Sequence, residues 1–389
     1  MSVYSQGCTK FLQQLIQIPS VNGENTEEEV VQCIIRTCNE LSLPYTIYEK
    51  EPGRPNIFVW EHLTDPAKLL FVSHSDTVPN GDESKRTHPP FGGIIHDDKL
   101  YGRGALDCKG WIATSLYALK VLYDTWYGHT AKMLVGVDEE SGANSTFGIQ
   151  HVLSQWLVAS GAIYTYGWSD DRTDINIWHR GLLRMRIDCN GHSMHAGAKK
   201  RSTKETGANA IEELLSLVRT IQQLPFVSHP LFPWYNATIT PTLFSGGEGE
   251  SIVPWAARVL LDIRTLPTNN NAHVLRQIEE LITEASRDNV SYEITIKNDI
   301  PAALSAINAP IISCTKEILQ TRFGKKENEI TIKWSGPANE SYLLIQNGIP
   351  TIAGFGPRGS GLHEINEHLV LDSISDSIMV LNSIAKKMH

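Results

Sequence analysis

Four short stretches of this 389-residue chain combine histidines and carboxylates that could hold a metal or move a proton. The first is Ser73-His74-Ser75-Asp76-Thr77-Val78-Pro79, directly after the apolar run Leu69-Leu70-Phe71-Val72. Residues two apart on a strand share a face, so His74 and Asp76 are expected to point the same way. A histidine whose second ring nitrogen is held by a carboxylate is prepared to be a metal ligand or a base. Taken alone, such a triplet is more often a buried histidine satisfied by a nearby acid. The second stretch is Tyr101-Gly102-Arg103-Gly104-Ala105-Leu106-Asp107-Cys108-Lys109-Gly110. Its glycines let the backbone adopt unusual dihedrals and would present Asp107. Neither GxxxxGKS/T nor GxGxxG occurs in it, so a phosphate cradle is excluded there.

The third stretch, Val137-Asp138-Glu139-Glu140-Ser141-Gly142, ends an apolar run in three acids. Acid runs are usually solvated loops, but the end of a buried strand is where α/β proteins place functional groups. Two adjacent carboxylates could divide the work, one on a metal and one as base. The fourth, Gly356-Pro357-Arg358-Gly359-Ser360-Gly361-Leu362-His363-Glu364-Ile365-Asn366-Glu367, puts His363 after a glycine-rich turn. No GxSxG elbow supports serine chemistry, and Cys8 and Cys108 lack a context that would lower a thiol pKa. Histidines and carboxylates without a thiolate suit zinc, cobalt or manganese.

The elements that must position these residues follow from periodicity. Thr26 and Glu29 form a candidate capping box for a helix with Val30, Ile34 and Leu41 on one face. The runs Leu69–Val72 and Met133–Val137 are continuous and apolar, which predicts strands covered on both faces. After Gly181 the pattern changes. Leu183 to Asp188 alternate apolar and polar, as do Ala257 to Arg264 apart from Leu260. Such alternation marks an antiparallel sheet with one buried face. Between them Ile211, Leu214, Leu215, Val218 and Ile221 repeat at helical spacing. The predicted fold is therefore two-domain α/β: a larger domain from residues 1–180 and 300–389, which carries the four candidate metal-binding stretches, with an α+β domain inserted over 181–299.

Composition bounds the partners. A net charge of −9 argues against nucleic acid or an anionic membrane. No run approaches the roughly 20 apolar residues that span a bilayer, and the N-terminus lacks a secretory pattern. Six cysteines without a CxxC pair read as reduced thiols in a cytoplasmic protein.

In order, SHSDTVP, YGRGALDCKG, VDEESG, HRG with GHSMHAG, DIRTLP and GFGPRGSGLHEINE resemble the motifs of the M20 metallopeptidase family, which includes acetylornithine deacetylase and succinyl-diaminopimelate desuccinylase. The resemblance spans roughly residues 8–380. It implies two divalent ions, zinc foremost with cobalt or manganese as alternatives. His74 would bind the first ion and Asp76 would orient it. Asp107 would bridge, ahead of a cis peptide bond, and Glu140 and His363 would hold the second ion. Glu139 would be the general base. A GEPT-like segment that supplies a further ligand in relatives reads Tyr166-Gly167-Trp168-Ser169-Asp170-Asp171-Arg172 here. Asp170 is the chosen replacement, with Asp171 competing.

The resemblance also implies that the inserted domain is a lid and homodimer interface. His195 would donate to the developing oxyanion in the partner subunit's site, and Arg264 would hold a substrate carboxylate. Ser251 and Asn339 stand where relatives often carry Asn and Asp. The implied reaction is removal of an acetyl or succinyl group from an N-acyl amino acid. The alternatives are a dipeptidase or carboxypeptidase of the same family, or a non-catalytic dimeric binding protein.

Overall fold

The computed structural model describes residues 3–60, 62–63, 65–165, 173–198, 208–334 and 337–389. The expected ligands Asp170 and Asp171 lie outside the described residues. The chain is α/β and divides into two compact units, one up to Trp178 and again from Leu304 onward, the other His179–Ala303. Sequence pattern alone had suggested 181–299 for the second.

In the first unit a mixed sheet runs in the order Thr46–Glu49, Pro55–Val59, Ala131–Gly136, Leu69–His74, Ala162–Tyr164, Thr351–Ala353, Asp174–His179. Leu69–His74 and Ala131–Gly136 are parallel neighbours, and every residue of both is buried. That is the physical basis of their uninterrupted apolar composition, since neither face meets water. Both strands end at the same edge, so the loops that follow them emerge side by side. The helix Lys109–Tyr123 packs on both strands.

A smaller antiparallel sheet, Gly359–Ser360, His368–Val370, Lys99–Tyr101, Ile94–His96, has a specific consequence. Its register opposes His368 to Tyr101, which lays the 356–367 loop against the 102–107 loop. Fragments more than 250 residues apart are thereby brought into contact.

The helix expected near Thr26 runs Glu28–Glu40, with Val30 and Ile34 fully buried. The capping box does not form: the N-cap is Glu27, with no side-chain cap. Glu27 instead accepts from Arg54 and from the Asp138 amide, so its carboxylate holds the turn that follows the strand Ala131–Gly136.

In the second unit, Leu182–Asn190 and Ala256–Arg264 pair antiparallel within a four-stranded sheet, edged by Thr238–Gly246 and Ser291–Ile300. The predicted alternation is present: Leu183, Met185, Ile187 and Cys189 are buried, while Arg184, Arg186 and Asp188 are partly exposed. Helices Ala210–Ile221 and Asn271–Ala285 contribute Leu214, Val218, Val274 and Ile278 to the core on that face. Each such side chain contributes about 1.5–3 kcal/mol of hydrophobic stabilisation. One position differs from expectation: Leu215 is exposed and Leu217 takes the inward place. Asn209 and Asn270 cap the two helices, accepting from the Ile211 and Ala272 amides.

Candidate metal centre

The centre is built from four segments of the chain, those of His74, Asp107, Glu139 and His363. The strand Leu69–His74 delivers His74 and, just beyond, Asp76. Both are buried, and His74 Nδ1 lies 3.4 Å from Asp76 Oδ1 and 3.1 Å from the Asp76 carbonyl. With Nδ1 so engaged, Nε2 is turned to the opposite side, 3.3 Å from Asp107 Oδ1. The other oxygen of Asp107 faces His363 Nε2 at 3.1 Å. One carboxylate thus lies between the Nε2 atoms of two histidines.

Asp107 is aimed by Glu367. This buried acid accepts from Arg103 Nη1 at 2.7 Å and from the amides of Gly104, Leu106 and Asp107 at 3.0, 2.8 and 3.0 Å. Gly104 is required in that turn: its φ is +79°, and a Cβ there would sit 2.9 Å from Thr77 Cγ2. The Asp107–Cys108 peptide bond is cis. Cys108 donates its thiol to the His74 carbonyl at 2.9 Å and accepts from the His74 amide at 3.2 Å. Burial raises its pKa, and the two bonds hold it against the His74 backbone.

Glu139 and Glu140 follow Asp138, which has left-handed backbone (φ 64°). The turn is pinned at several points. Asp76 accepts from the Glu139 amide at 3.1 Å and the Glu140 amide at 2.9 Å. Asn22 bridges Asp76 and Asp138 with two 2.8 Å hydrogen bonds. Arg54 pairs with Asp138 at 3.0 Å and with Glu27. Glu140 Oε1 is buried without a hydrogen-bond partner, with His363 Nε2 3.4 Å away. Tyr164 donates to Glu139 at 3.4 Å.

The electrostatics reflect this crowding. Burial, against which His74 works, together with Glu140, Asp107 and Asp76, pushes the Glu139 carboxyl up to about 8. Asp107 is held well below the usual carboxylate range: burial opposes this, but the two facing histidines outweigh it. His363 is raised to about 10 by Asp107 and Glu140. For His74, burial acts downward, and Cys108, Asp107 and Asp76 carry it above its ordinary value.

The donor set fits divalent cations. His74, Glu139 and Glu140 offer ligand atoms within 4.8 Å of one another, as do Asp107, Glu140 and His363. Imidazole and carboxylate donors in this proportion suit zinc-like ions, and the Glu140 oxygen without a hydrogen bond has the His363 ring at 3.4 Å beside it.

The family description Peptidase family M20/M25/M40 matches residues 70–387. The chain belongs to this family. Among curated relatives, succinyl-diaminopimelate desuccinylases of Ehrlichia chaffeensis and Methylorubrum extorquens are 25% and 27% identical over 330 and 339 residues. Each alignment covers 82% of this chain, and 81% and 83% respectively of the relative. Among solved structures, an M20 metallo-carboxypeptidase from Sulfolobus solfataricus superposes with a TM-score of 0.77 at 20% identity, over 100% of this chain and 99% of that one. A dinuclear metal-binding M20 peptidase from Bacillus subtilis gives 0.71 at 14% identity, over 98% and 97%. This M20 chain is therefore a metallohydrolase whose described residues include candidate metal-ligand groups.

The remaining expected residues belong to the second unit. His195 is exposed on the short strand Met194–His195, and its Nδ1 accepts from the Gly197 amide at 3.0 Å. That bond leaves the ring proton on Nε2 in the neutral form. Arg264 is engaged with Asp262 through Nε at 2.7 Å and Nη2 at 3.2 Å. Sequence reasoning missed Asn22, Glu27, Arg54, Arg103, Tyr164 and Glu367. Two of these, Arg103 and Glu367, stand inside quoted motifs and could have been weighed as an ion pair. Asn22, Glu27 and Arg54 carry no local signal.

Among the described residues no helix is long and apolar enough to cross a membrane. All six cysteines are free.

Proposed function

We propose that this M20 hydrolase is an acetylornithine deacetylase-like amidohydrolase that removes an acetyl or succinyl group from an N-acyl amino acid. The observation that carries the metal-dependent reaction is the Asp107 carboxylate set between His74 Nε2 and His363 Nε2, with Glu139 and Glu140 beside it. The named activity of the desuccinylase relatives supports acyl removal.

In this reading His74, Asp107 and Asp170 (or Asp171) hold one divalent ion, and Asp107, Glu140 and His363 hold the other. Zinc is the first choice from the donor chemistry, with cobalt or manganese able to substitute. Such ions polarise an amide carbonyl and bring the pKa of water from about 15.7 toward roughly 7. Glu139 takes the proton of the attacking water and passes it to the leaving amine, one residue acting as base and then acid. A carboxyl pushed to about 8 by burial and neighbouring acids is brought back toward neutrality by nearby positive charge, the range in which it can do both. Asp76 keeps His74 and the Glu139 turn in place.

His195, with its proton on Nε2, is read as the donor to the oxyanion in the site of the partner subunit of a homodimer. The edge strand Thr238–Gly246, which exposes Leu243 and Phe244, supports a second copy as its cover. Arg264, kept rigid by Asp262, is read as the anchor for a substrate carboxylate. A small charged substrate and free cysteines agree with a cytoplasmic enzyme.

The second reading is a dipeptidase or carboxypeptidase, favoured by the likeness to the Sulfolobus carboxypeptidase. The deciding experiment reloads metal-stripped protein with zinc or cobalt and offers N-acetylornithine, N-acetylcitrulline, N-succinyl-diaminopimelate and dipeptides. Metal-dependent amine release from an acyl amino acid is the expected result. Cleavage of dipeptides alone overturns it in favour of the second reading.

A further inference from the structure

Glu340 is the one acid among the described residues with both carboxylate oxygens buried and lacking a hydrogen-bond partner. The residue is fully buried and immediately precedes the short helix Ser341–Gln346. The other acids whose whole side chain is buried in this unit have partners, Asp138 through Asn22 and Arg54. Asp76 accepts from Asn22 and two amides, Glu367 from Arg103 and three amides, and Glu27 from Arg54.

The charged groups that act on Glu340 are Glu139, His74, Asp76 and Asp138, all members of the metal centre or its supporting turn. Three are acids. An ionised carboxylate in such company is uncompensated, and a protonated one still leaves an O–H and a carbonyl without partners. A cation answers both deficits at once.

We propose that Glu340 is a further carboxylate of this metal centre, serving the ion on the His74 side. The inference rests on the reading that divalent ions bind here. The Glu340 side chain stands outside the tight groups formed by His74, Asp107, Glu139, Glu140 and His363. Its neighbour Asn339 uses its own side chain to accept from the Ser341 amide.

The test is metal titration of the stripped full-length protein with zinc and with cobalt, in wild type, Glu340→Gln, Glu340→Asp and Asp170→Asn, read by bound-metal analysis and by the visible spectrum of the cobalt form. The expected result is that Glu340→Gln weakens one of two ions by at least tenfold and alters the cobalt spectrum, with Glu340→Asp intermediate. The metal-free Tm of Glu340→Gln should equal that of wild type, because the amide leaves its polar atoms as unpartnered as those of the protonated acid. Wild-type affinity and spectrum in Glu340→Gln would overturn the proposal. So would a lowered metal-free Tm accompanying the metal loss, which marks a structural role. Loss of the ion in Asp170→Asn but not in Glu340→Gln would assign the position to Asp170 instead. A wild type that binds no ion would remove the metal-centre reading itself, and with it this proposal.

Discussion

Asp76 Oδ1 accepts the backbone amide of Glu139 at 3.1 Å while facing His74 Nδ1 at 3.4 Å. A single buried carboxylate therefore ties the histidine on one strand to the acid turn on its parallel neighbour. Asp76→Asn keeps the shape but weakens acceptance and places an NH2 near an amide or the ring. Metal affinity should fall about 10- to 100-fold, the usual effect of losing a group that orients a ligand. Equilibrium competition with a chelator measures it, and unchanged affinity would refute the orienting role.

Glu139 is crowded by Glu140, Asp107 and Asp76. Glu139→Gln removes the proton acceptor and retains size. Turnover should drop by about 10²- to 10⁴-fold with bound metal unchanged. Bound-metal analysis beside kcat decides the matter: retained turnover would show that another group takes the proton.

The Arg103–Glu367 pair is almost completely buried, so each charge depends on the other. Glu367→Gln leaves Arg103 uncompensated and weakens three amide contacts around Asp107. A loss of about 3–5 kcal/mol is expected in chemical unfolding. Removing both charges together should cost less than the sum of the single changes, and simple additivity would argue against the coupling.

Among the described residues His363 makes ionic contacts with groups of the centre, at 3.1 Å to Asp107 and 3.4 Å to Glu140. His363→Ala should lose one of two bound ions while the first remains. Loss of both ions would mean that the two positions are not independent.

His179 should make stability pH-dependent. Burial lowers its pKa to about 4, while its Nδ1 faces the Arg180 carbonyl at 2.9 Å and Nε2 has no partner. The unfolded histidine titrates near 6.5. Between these values the unfolded chain binds more protons, so stability falls as pH drops through the window and levels off below about 4. From pH 7.5 to 5 this one group costs about 2 kcal/mol. His179→Gln should show a shallower pH dependence by that amount in urea unfolding, and parallel curves would dismiss the effect.

Several features of this protein were readable locally. Alternation from Leu183 to Asp188 marks a strand with one wet face because the backbone reverses side chains at every residue. Apolar continuity from Leu69 to Val72 marks a strand covered twice. The shared direction of His74 and Asp76 is likewise a two-residue property, and the ordered motifs sufficed for the family.

Other features depended on which distant parts of the chain meet. Thr26 and Glu29 satisfy a local capping pattern, yet Glu27 became the N-cap residue because Arg54 and the Asp138 amide reach it there. Asn22, Arg54 and Glu340 are isolated polar residues, and no periodicity reveals that each meets the centre. Asp107 and His363, 256 positions apart, face one another because the small sheet opposes His368 to Tyr101. Secondary structure reflects the spacing of side chains along a few residues and can be read from them. Hydrogen-bond satisfaction of buried charges is a sum over whatever the whole fold brings near, and only the folded chain supplies it.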